Sequence, residues 1–392
     1  MPKYDCIVLA LQGGGSLGAY QAGVYEGMAE AGYLPDWIAG TSIGAINGAL
    51  IAGNPPARRV ERLREFWDLV SSGLAAGVPA GPLTPAVPLR RVYNGMSAAT
   101  TALFGVPGFF TPRVPPAALM PTGHPAALSL YSTAPLLDTI AKLVDFRLIN
   151  RRDGIRYSAG TVNVRNGNSH YFDSTETQIT PHHVIASNAL PPGFAPVEID
   201  GEHYWDGGIV SNTPLWHVMD SSPPANTLIV QVDLFSARGE MPGNLDEAME
   251  RQKDIRYSSK TRTNTTRVLQ TQELREALQR VLKKLSPQLR EDKDVKLLEK
   301  AGAERRIDIV HLINRRFTHA SNTKDFEFSR ATVRELWECG LEDARITAAH
   351  PDWLQATRSE AGVRVYDATR IMQAPPAKAR KTPASESEEV VP

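Results

Sequence analysis

Residues 4–18 read YDCIVLALQGGGSLG, a short apolar run followed by closely spaced glycines. The β-branched and apolar side chains of residues 4–12 are typical of a buried parallel strand. A helical pattern follows the glycines and continues to about residue 31, where Gly32 ends it. This order of strand, glycine loop and helix predicts the first unit of an α/β fold.

The glycine loop, Gly13-Gly-Gly-Ser-Leu-Gly18, is suited to binding an anion. Glycines let the backbone approach a ligand closely and turn several N–H groups toward one point. Such a loop at a helix N-terminus can hold a phosphate or the oxyanion of a tetrahedral intermediate. A dinucleotide site is one alternative, but it needs an acidic residue at the end of the second strand. Asp36 precedes that strand, so the spacing disfavours this alternative.

The second short strand, Trp37-Ile38-Ala39, ends in Gly40-Thr41-Ser42-Ile43-Gly44, and another helix follows at once. G-x-S-x-G between a strand and a helix is the pattern of a nucleophile elbow, a sharp turn that exposes the serine hydroxyl. Gly40 and Gly44 are expected to be required because side chains two positions either side of the serine would collide. Ser42 is therefore the predicted nucleophile.

An aspartate motif, Trp205-Asp206-Gly207-Gly208, ends a segment that predicts a hairpin with its turn at Asp200-Gly201. Gly207 and Gly208 permit a turn that presents the Asp206 carboxylate at the end of a strand. By itself this is a common turn. Its interpretation as a catalytic motif depends on the two motifs that precede it.

The base for Ser42 is either a histidine or this carboxylate. The α/β-hydrolases place their triad in the order serine, acid, histidine, and both His217 and His311 follow Asp206. That fold, however, has several strands before its elbow, whereas one earlier strand is predicted here. A serine served directly by Asp206 is the simpler hypothesis, with His217 as the histidine to test as a third member.

Together the three motifs resemble the signature of the patatin-like phospholipases, over at least residues 5–215. The resemblance implies a Rossmann-like, mostly parallel sheet flanked by helices, and lipid acyl-ester hydrolysis by a Ser42–Asp206 dyad without a metal or cofactor. It also implies an oxyanion hole formed by the N–H groups of Gly13, Gly14 and Gly15, with Gly18, Gly40, Gly44, Gly207 and Gly208 supporting the motifs. The family usually has Arg or Lys where this chain has Leu17, so a charge that could bind a phosphate headgroup is missing.

The remaining chain divides by composition. Residues 1–315 are expected to form the catalytic domain, in which residues 72–126 are an irregular, apolar lid over the site and residues 245–303 are charged and helical. Residues 316–373 are expected to be a helical region packed on this domain. Residues 374–392 have the composition of a disordered tail.

Composition excludes several classes of function. Lys+Arg and Asp+Glu are equal at 43 each, so no basic field indicates nucleic acid. The cysteines, Cys6 and Cys339, are too few for a disulfide framework and fit a reducing compartment. No stretch approaches the roughly 20 apolar residues that cross a bilayer, and the histidines lack metal-ligand spacing.

A cytoplasmic enzyme that acts on a lipid or fatty-acyl ester is therefore expected. Peripheral membrane contact is left open by a run of basic residues, Lys253, Arg256, Lys260, Arg262 and Arg267. Two other functions also remain open: an acyltransferase on the same scaffold, and a lipid-binding or regulatory protein without turnover. The sequence does not indicate the oligomeric state.

Overall fold

A computed structural model describes residues 4–73, 87–221, 223–224, 226–258, 274–275, 277–301, 306–315, 322–350 and 362–367. The predicted tail at 374–392 lies outside these residues. So do residues 74–86 of the expected lid, and Lys260, Arg262 and Arg267 of the basic run.

The strands, in chain order, are β1 (Cys6–Leu11), β2 (Trp37–Thr41), β3 (Thr111–Pro112), β4 (Tyr131–Ser132), β5 (Arg156–Asn163), β6 (Ser169–Asp173), β7 (Val197–Ile199), β8 (Glu202–Asp206), β9 (Asn226–Asp233), β10 (Arg306–Ile313) and β11 (Gly362–Asp367). The α-helices are α1 (Ala19–Glu30), α2 (Ile43–Ala52), α3 (Arg59–Val70), α4 (Val87–Phe104), α5 (Ala134–Leu143), α6 (Phe146–Ile149), α7 (Pro181–Ser187), α8 (Leu215–Asp220), α9 (Leu245–Tyr257), α10 (Pro287–Arg290), α11 (Lys293–Ala301) and α12 (Arg330–Ala349).

Nine of these strands form one sheet, in the order β11-β10-β9-β1-β2-β5-β8-β7, with β6 also paired to β5. Neighbouring strands are parallel from β11 to β5, whereas β6 and β8 are antiparallel to β5 and β7 is antiparallel to β8. Every residue of β2 is buried, as expected of a parallel strand that helices cover on both faces. The predicted α/β class and mostly parallel sheet are confirmed.

The C-terminal helix α12 packs closely against α1. An added Cβ at Gly23 would lie 2.0 Å from the carbonyl oxygen of Trp337, and one at Gly340 would lie 2.0 Å from that of Tyr20. The Tyr20 hydroxyl also donates to the Asp343 carboxylate at 2.8 Å. Because α1 begins directly behind the glycine loop, the C-terminal part of the chain supports the site.

Two expectations of irregular or helical structure need correction. The expected lid contains an 18-residue helix, α4. Pro88 lies in its first turn, where proline is tolerated, only Gly95 lies well inside it, and the other prolines and glycines of this segment lie outside it. Residues 316–373 contain β11, which pairs in parallel with β10 at the edge of the sheet, so this region is not purely helical. The domain boundaries remain predictions.

Among the described residues, no helix has the length and apolar composition needed to cross a membrane.

Candidate active site

Ser42 lies in a strained turn between β2 and α2. Its backbone has φ 55° and ψ −127°, a conformation that costs free energy for any residue with a side chain. An added Cβ at Gly40 would lie 2.4 Å from the backbone of Gly44, and one at Gly44 would lie 2.4 Å from the carbonyl oxygen of Leu11. The turn therefore requires both glycines and has the geometry expected of a nucleophile elbow.

The hydroxyl of Ser187, at the end of α7, holds this turn from behind. The Ser42 N–H donates to Ser187 Oγ at 3.1 Å, and that hydroxyl donates in turn to the carbonyl oxygen of Gly160 at 2.7 Å. Ser187 is fully buried, so water does not compete for these bonds. Nothing in the sequence around Ser187 indicated this role, because it depends on how α7 packs against β5.

The strand order brings Asp206 to the elbow. Residues 161 and 162 of β5 pair with both β6 and β8, so these two strands lie on opposite sides of β5. Because β6 also pairs with the part of β5 that pairs with β2, β2 and β8 share the other side. Thr41 is opposite Gly160 and Asp206 is opposite Thr161. Strand β8 therefore continues where β2 ends, and the aspartate lies beside the serine.

Asp206 is almost completely enclosed, with 1% of its surface exposed. Burial raises the pKa of its carboxyl group from 3.8 to about 7, although hydrogen bonds with the Ser42 hydroxyl and the Gly208 amide lower it. The Gly208 N–H donates to Asp206 Oδ1 at 2.7 Å. An added Cβ at Gly207 would lie 2.7 Å from the carbonyl oxygen of Gly160, so a side chain there would push β8 away from β5.

The glycine loop lies against the same two residues. An added Cβ at Gly13 would lie 3.0 Å from Ser42 Cβ. The Gly13 N–H donates to the backbone carbonyl of Asn212 at 3.1 Å, and Asn212 Nδ2 donates back to the Gly13 carbonyl at 3.0 Å. This corrects the expectation that Gly13 faces an oxyanion, because its N–H is already bonded. The N–H groups of Gly14 and Gly15 have no acceptor among the described residues.

Gly15 has a positive φ of 58°, and an added Cβ there would lie 2.2 Å from the carbonyl oxygen of Asp325. The neighbouring Ser16 hydroxyl donates to the Lys324 carbonyl at 2.8 Å. A segment more than 300 residues away therefore supports the glycine loop, which the sequence did not indicate. Leu17 is buried, with 1% of its surface exposed. It therefore offers no polar group at the position where a basic side chain was expected.

Gln12, at the end of β1, connects this loop to its surroundings. Its side-chain oxygen accepts from the N–H groups of Leu234 and Phe235 at 2.6 and 2.9 Å. Its amide nitrogen donates to Thr213 Oγ1 at 2.8 Å and to the carbonyl of Tyr257 at 3.1 Å. The sequence analysis did not single out Gln12, since a glutamine after an apolar strand carries no motif.

Ser42 and Asp206 both line a cavity of about 160 Å³. Aromatic residues from several parts of the chain form much of its wall: Phe109, Phe110, Tyr131, Phe194, Phe235, Tyr257, Phe326 and Phe328. The first three belong to the segment that follows α4. Among the described lining residues the only charged side chains are Asp206 and Asp325. The cavity is therefore suited to an apolar chain that ends near Ser42.

The candidate histidines lie elsewhere. His217 stacks on Tyr171 with ring centroids 3.9 Å apart, and its Nε2 lies 3.6 Å from Asp173. His311 is buried against Asp233 at 2.6 Å. Neither is among the described residues that line the cavity, so neither of these two histidines lies beside Ser42. The described residues contain no group of three His, Cys, Asp or Glu side chains that could hold a metal ion.

Comparison with known proteins agrees with the motifs. A family model described as patatin-like phospholipase matches residues 9–219, and a second, described as patatin phospholipase, matches residues 255–360. The crystal structure of VipD from Legionella pneumophila is similar at 12% identity and a TM-score of 0.35, over 94% of this chain and 72% of that one. A search of curated proteins gave no match. Because the first model spans more than half of the chain, this protein belongs to the patatin-like phospholipase family.

Proposed function

We propose that this protein hydrolyses the acyl esters of lipids, with Ser42 as nucleophile and Asp206 as its base. Family membership supports lipid hydrolase activity in general. The observation that carries the finer proposal is Asp206, a buried carboxylate with a pKa near 7 that hydrogen-bonds the serine hydroxyl. A base with this pKa accepts a proton at neutral pH and can return it in the next step.

In the first step, Asp206 takes the proton of the Ser42 hydroxyl as the oxygen attacks the acyl carbonyl. The carbonyl oxygen gains negative charge, which the N–H groups of Gly14 and Gly15 stabilise. Each such donor is typically worth about 3 kcal/mol. Asp206 then gives its proton to the leaving alcohol, and an acyl-enzyme remains on Ser42.

In the second step, Asp206 removes a proton from water as the water oxygen attacks the acyl-enzyme. Asp206 then returns this proton to the Ser42 oxygen as the bond to the acyl group breaks and the fatty acid leaves. The aromatic wall of the cavity receives the acyl chain, and its burial there contributes about 25 cal/mol for each Å² of apolar surface removed from water.

The proposal is tested with a water-soluble aryl fatty-acid ester. Ser42→Ala and Asp206→Asn should each reduce turnover by at least about a thousandfold, with both variants still folded by circular dichroism. A fluorophosphonate probe should label Ser42 in the wild type and should label Asp206→Asn much more slowly. Full activity of Ser42→Ala would exclude the proposal.

Product analysis separates hydrolysis from acyl transfer. With an acceptor alcohol present, a hydrolase still releases mainly the free fatty acid, whereas an acyltransferase yields a new ester. The described lining of the cavity contains no arginine or histidine that could bind a malonyl carboxylate, which favours hydrolysis. A cytoplasmic location and peripheral membrane contact are part of the same proposal. Contact with a membrane surface would place the enzyme beside its lipid substrate.

A further inference from the structure

Helix α4 has its polarity reversed. The side chains that it buries are mostly polar: Asn94, Ser97 and Thr101 are 2%, 3% and 5% exposed. The Ser97 hydroxyl has no hydrogen-bond partner in the part of the chain that is described. A helix on the surface of a water-soluble protein normally turns its polar side outward and its apolar side inward.

The outward face of α4 is apolar. Its exposed large side chains are Val92 at 59%, Met96 at 66%, Leu103 at 70% and Phe104 at 63%. In the same segment, Val114 is 92% exposed and Leu119 is 75% exposed. Single exposed apolar residues are ordinary, but a helix that exposes four of them while burying polar groups is suited to an apolar environment outside the protein.

The few charges of this segment are compatible with a binding partner whose surface carries no net charge. Residues 87–132 contain no Asp or Glu and three arginines. Arg90 lies 3.2 Å from Glu335 and Arg91 lies 3.5 Å from Glu247, so two of the three cations are already paired. A protein partner would usually be met by a rim of polar and charged groups, which the exposed side chains of α4 do not supply.

The helix is joined directly to the cavity wall. The hydroxyl of Tyr131, which lines the cavity, donates to the carbonyl oxygen of Ala102 in α4 at 2.9 Å. Phe110, another lining residue, packs on Tyr131 with ring centroids 4.8 Å apart. The exposed face of α4 and the wall that would receive an acyl chain therefore belong to one unit.

We infer that the outward face of α4 docks on the surface of a lipid bilayer. Val92, Met96, Leu103 and Phe104 enter the boundary between headgroups and acyl chains, as the apolar side chains of interfacial helices do. The cavity then lies close to the layer from which an ester would enter it. This inference rests on the proposed function for the identity of the lipid as substrate, but the binding itself does not require turnover.

Vesicles of phosphatidylcholine test the inference by co-sedimentation with the full chain. The variant Leu103→Ser/Phe104→Ser should bind these vesicles at least about tenfold more weakly, because each side chain loses apolar surface that the bilayer would cover. The matched control is Leu289→Ser, at a residue that is 54% exposed on α10 and should bind like the wild type. All three proteins should hydrolyse the water-soluble aryl ester equally, which shows that the substitutions leave the site intact.

Two outcomes would overturn the inference. One is equal vesicle binding by the double variant and the wild type. The other is a wild-type dimer in sedimentation velocity that the double variant breaks, since a second copy would then occupy this face. If the wild type binds vesicles through α4 but does not hydrolyse the soluble ester, the proposed function fails and the docking surface stands.

Discussion

Replacing Asp206 with asparagine keeps the size of the side chain but removes a charge that burial opposes. Burial raises the pKa of this carboxyl group from 3.8 to about 7, and each pKa unit corresponds to about 1.4 kcal/mol. The folded protein therefore holds this proton more tightly than the unfolded chain does, by about 4 kcal/mol. That contribution to stability is fully present below about pH 4 and is lost as the pH rises to about 7.

The measurement is urea unfolding of the wild type, Asp206→Asn and Ser42→Ala at pH 5 and pH 8. Between these two values, the free energy of unfolding of the wild type should fall by about 3 kcal/mol more than that of Asp206→Asn. Ser42→Ala is the matched control, because it is also inactive but keeps the buried carboxyl group. Its free energy of unfolding should fall at least as much as that of the wild type, since it loses the hydrogen bond that lowers the pKa of Asp206. In parallel, kcat/KM for the soluble ester should rise about tenfold for each pH unit up to about pH 7 and then level off.

Two results would refute this reasoning. If the wild type and Asp206→Asn lose the same free energy of unfolding between pH 5 and pH 8, the carboxyl group is not perturbed by burial. If kcat/KM instead reaches its plateau near pH 4, Asp206 acts as an ordinary solvated carboxylate and cannot return a proton at neutral pH.

Three further substitutions test parts of the site. Ser187→Ala leaves the Ser42 N–H without its acceptor, which should lower the free energy of unfolding by about 1–3 kcal/mol. This variant should also have a kcat at least about tenfold lower, with little change in KM. Ser187→Thr should restore part of the lost kcat. Asn212→Ala removes the bond to the Gly13 carbonyl and should slow fluorophosphonate labelling by a similar factor. Phe110→Ala removes a ring that is 3% exposed in the cavity wall. The free energy of unfolding should fall by about 3–5 kcal/mol. The KM should rise more for long-chain esters than for short-chain esters.

Local sequence patterns predicted the elements that carry the motifs. The run before Gly13 is β1, and the hairpin turns at Asp200 and Gly201, which both have positive φ, 52° and 79°. The second predicted strand, at residues 37–39, is β2, and the helical pattern that ends before Gly32 is α1. In each case the signal lies within a few neighbouring residues, as an apolar run, a glycine after a strand or a helical repeat.

What the sequence could not predict depends on packing between distant segments. The closeness of Ser42 and Asp206 follows from β2 and β8 sharing one side of β5, and no local pattern encodes strand order. Strand β11 was missed because its parallel partner, β10, lies about 50 residues earlier. Helix α4 was missed because its apolar side chains face outward, so the segment resembled an apolar loop between stretches rich in Pro and Gly.

The sequence also could not predict that the Gly13 N–H is hydrogen-bonded within the protein. Three successive glycines offer three amide donors, and the resemblance to the family assigned all of them to an oxyanion. The backbone carbonyl of Asn212, which lies six residues after Asp206, accepts a hydrogen bond from one of these donors, the Gly13 N–H. The bond connects the loop to the aspartate motif, so the oxyanion role that we propose falls to the N–H groups of Gly14 and Gly15.

The burial of Asp206 and its position beside Ser42 have one cause. Because β8 continues along β5 where β2 ends, the carboxylate lies beside the elbow with protein on nearly every side. A histidine base needs no such enclosure, since its ordinary pKa is already about 6.5, but a carboxylate becomes a useful base at neutral pH only when water is kept away. The residues that enclose the cavity therefore influence the pKa of Asp206. Opening the aromatic wall, as Phe110→Ala would, should lower the pKa of Asp206 and shift the pH profile of kcat/KM to lower pH.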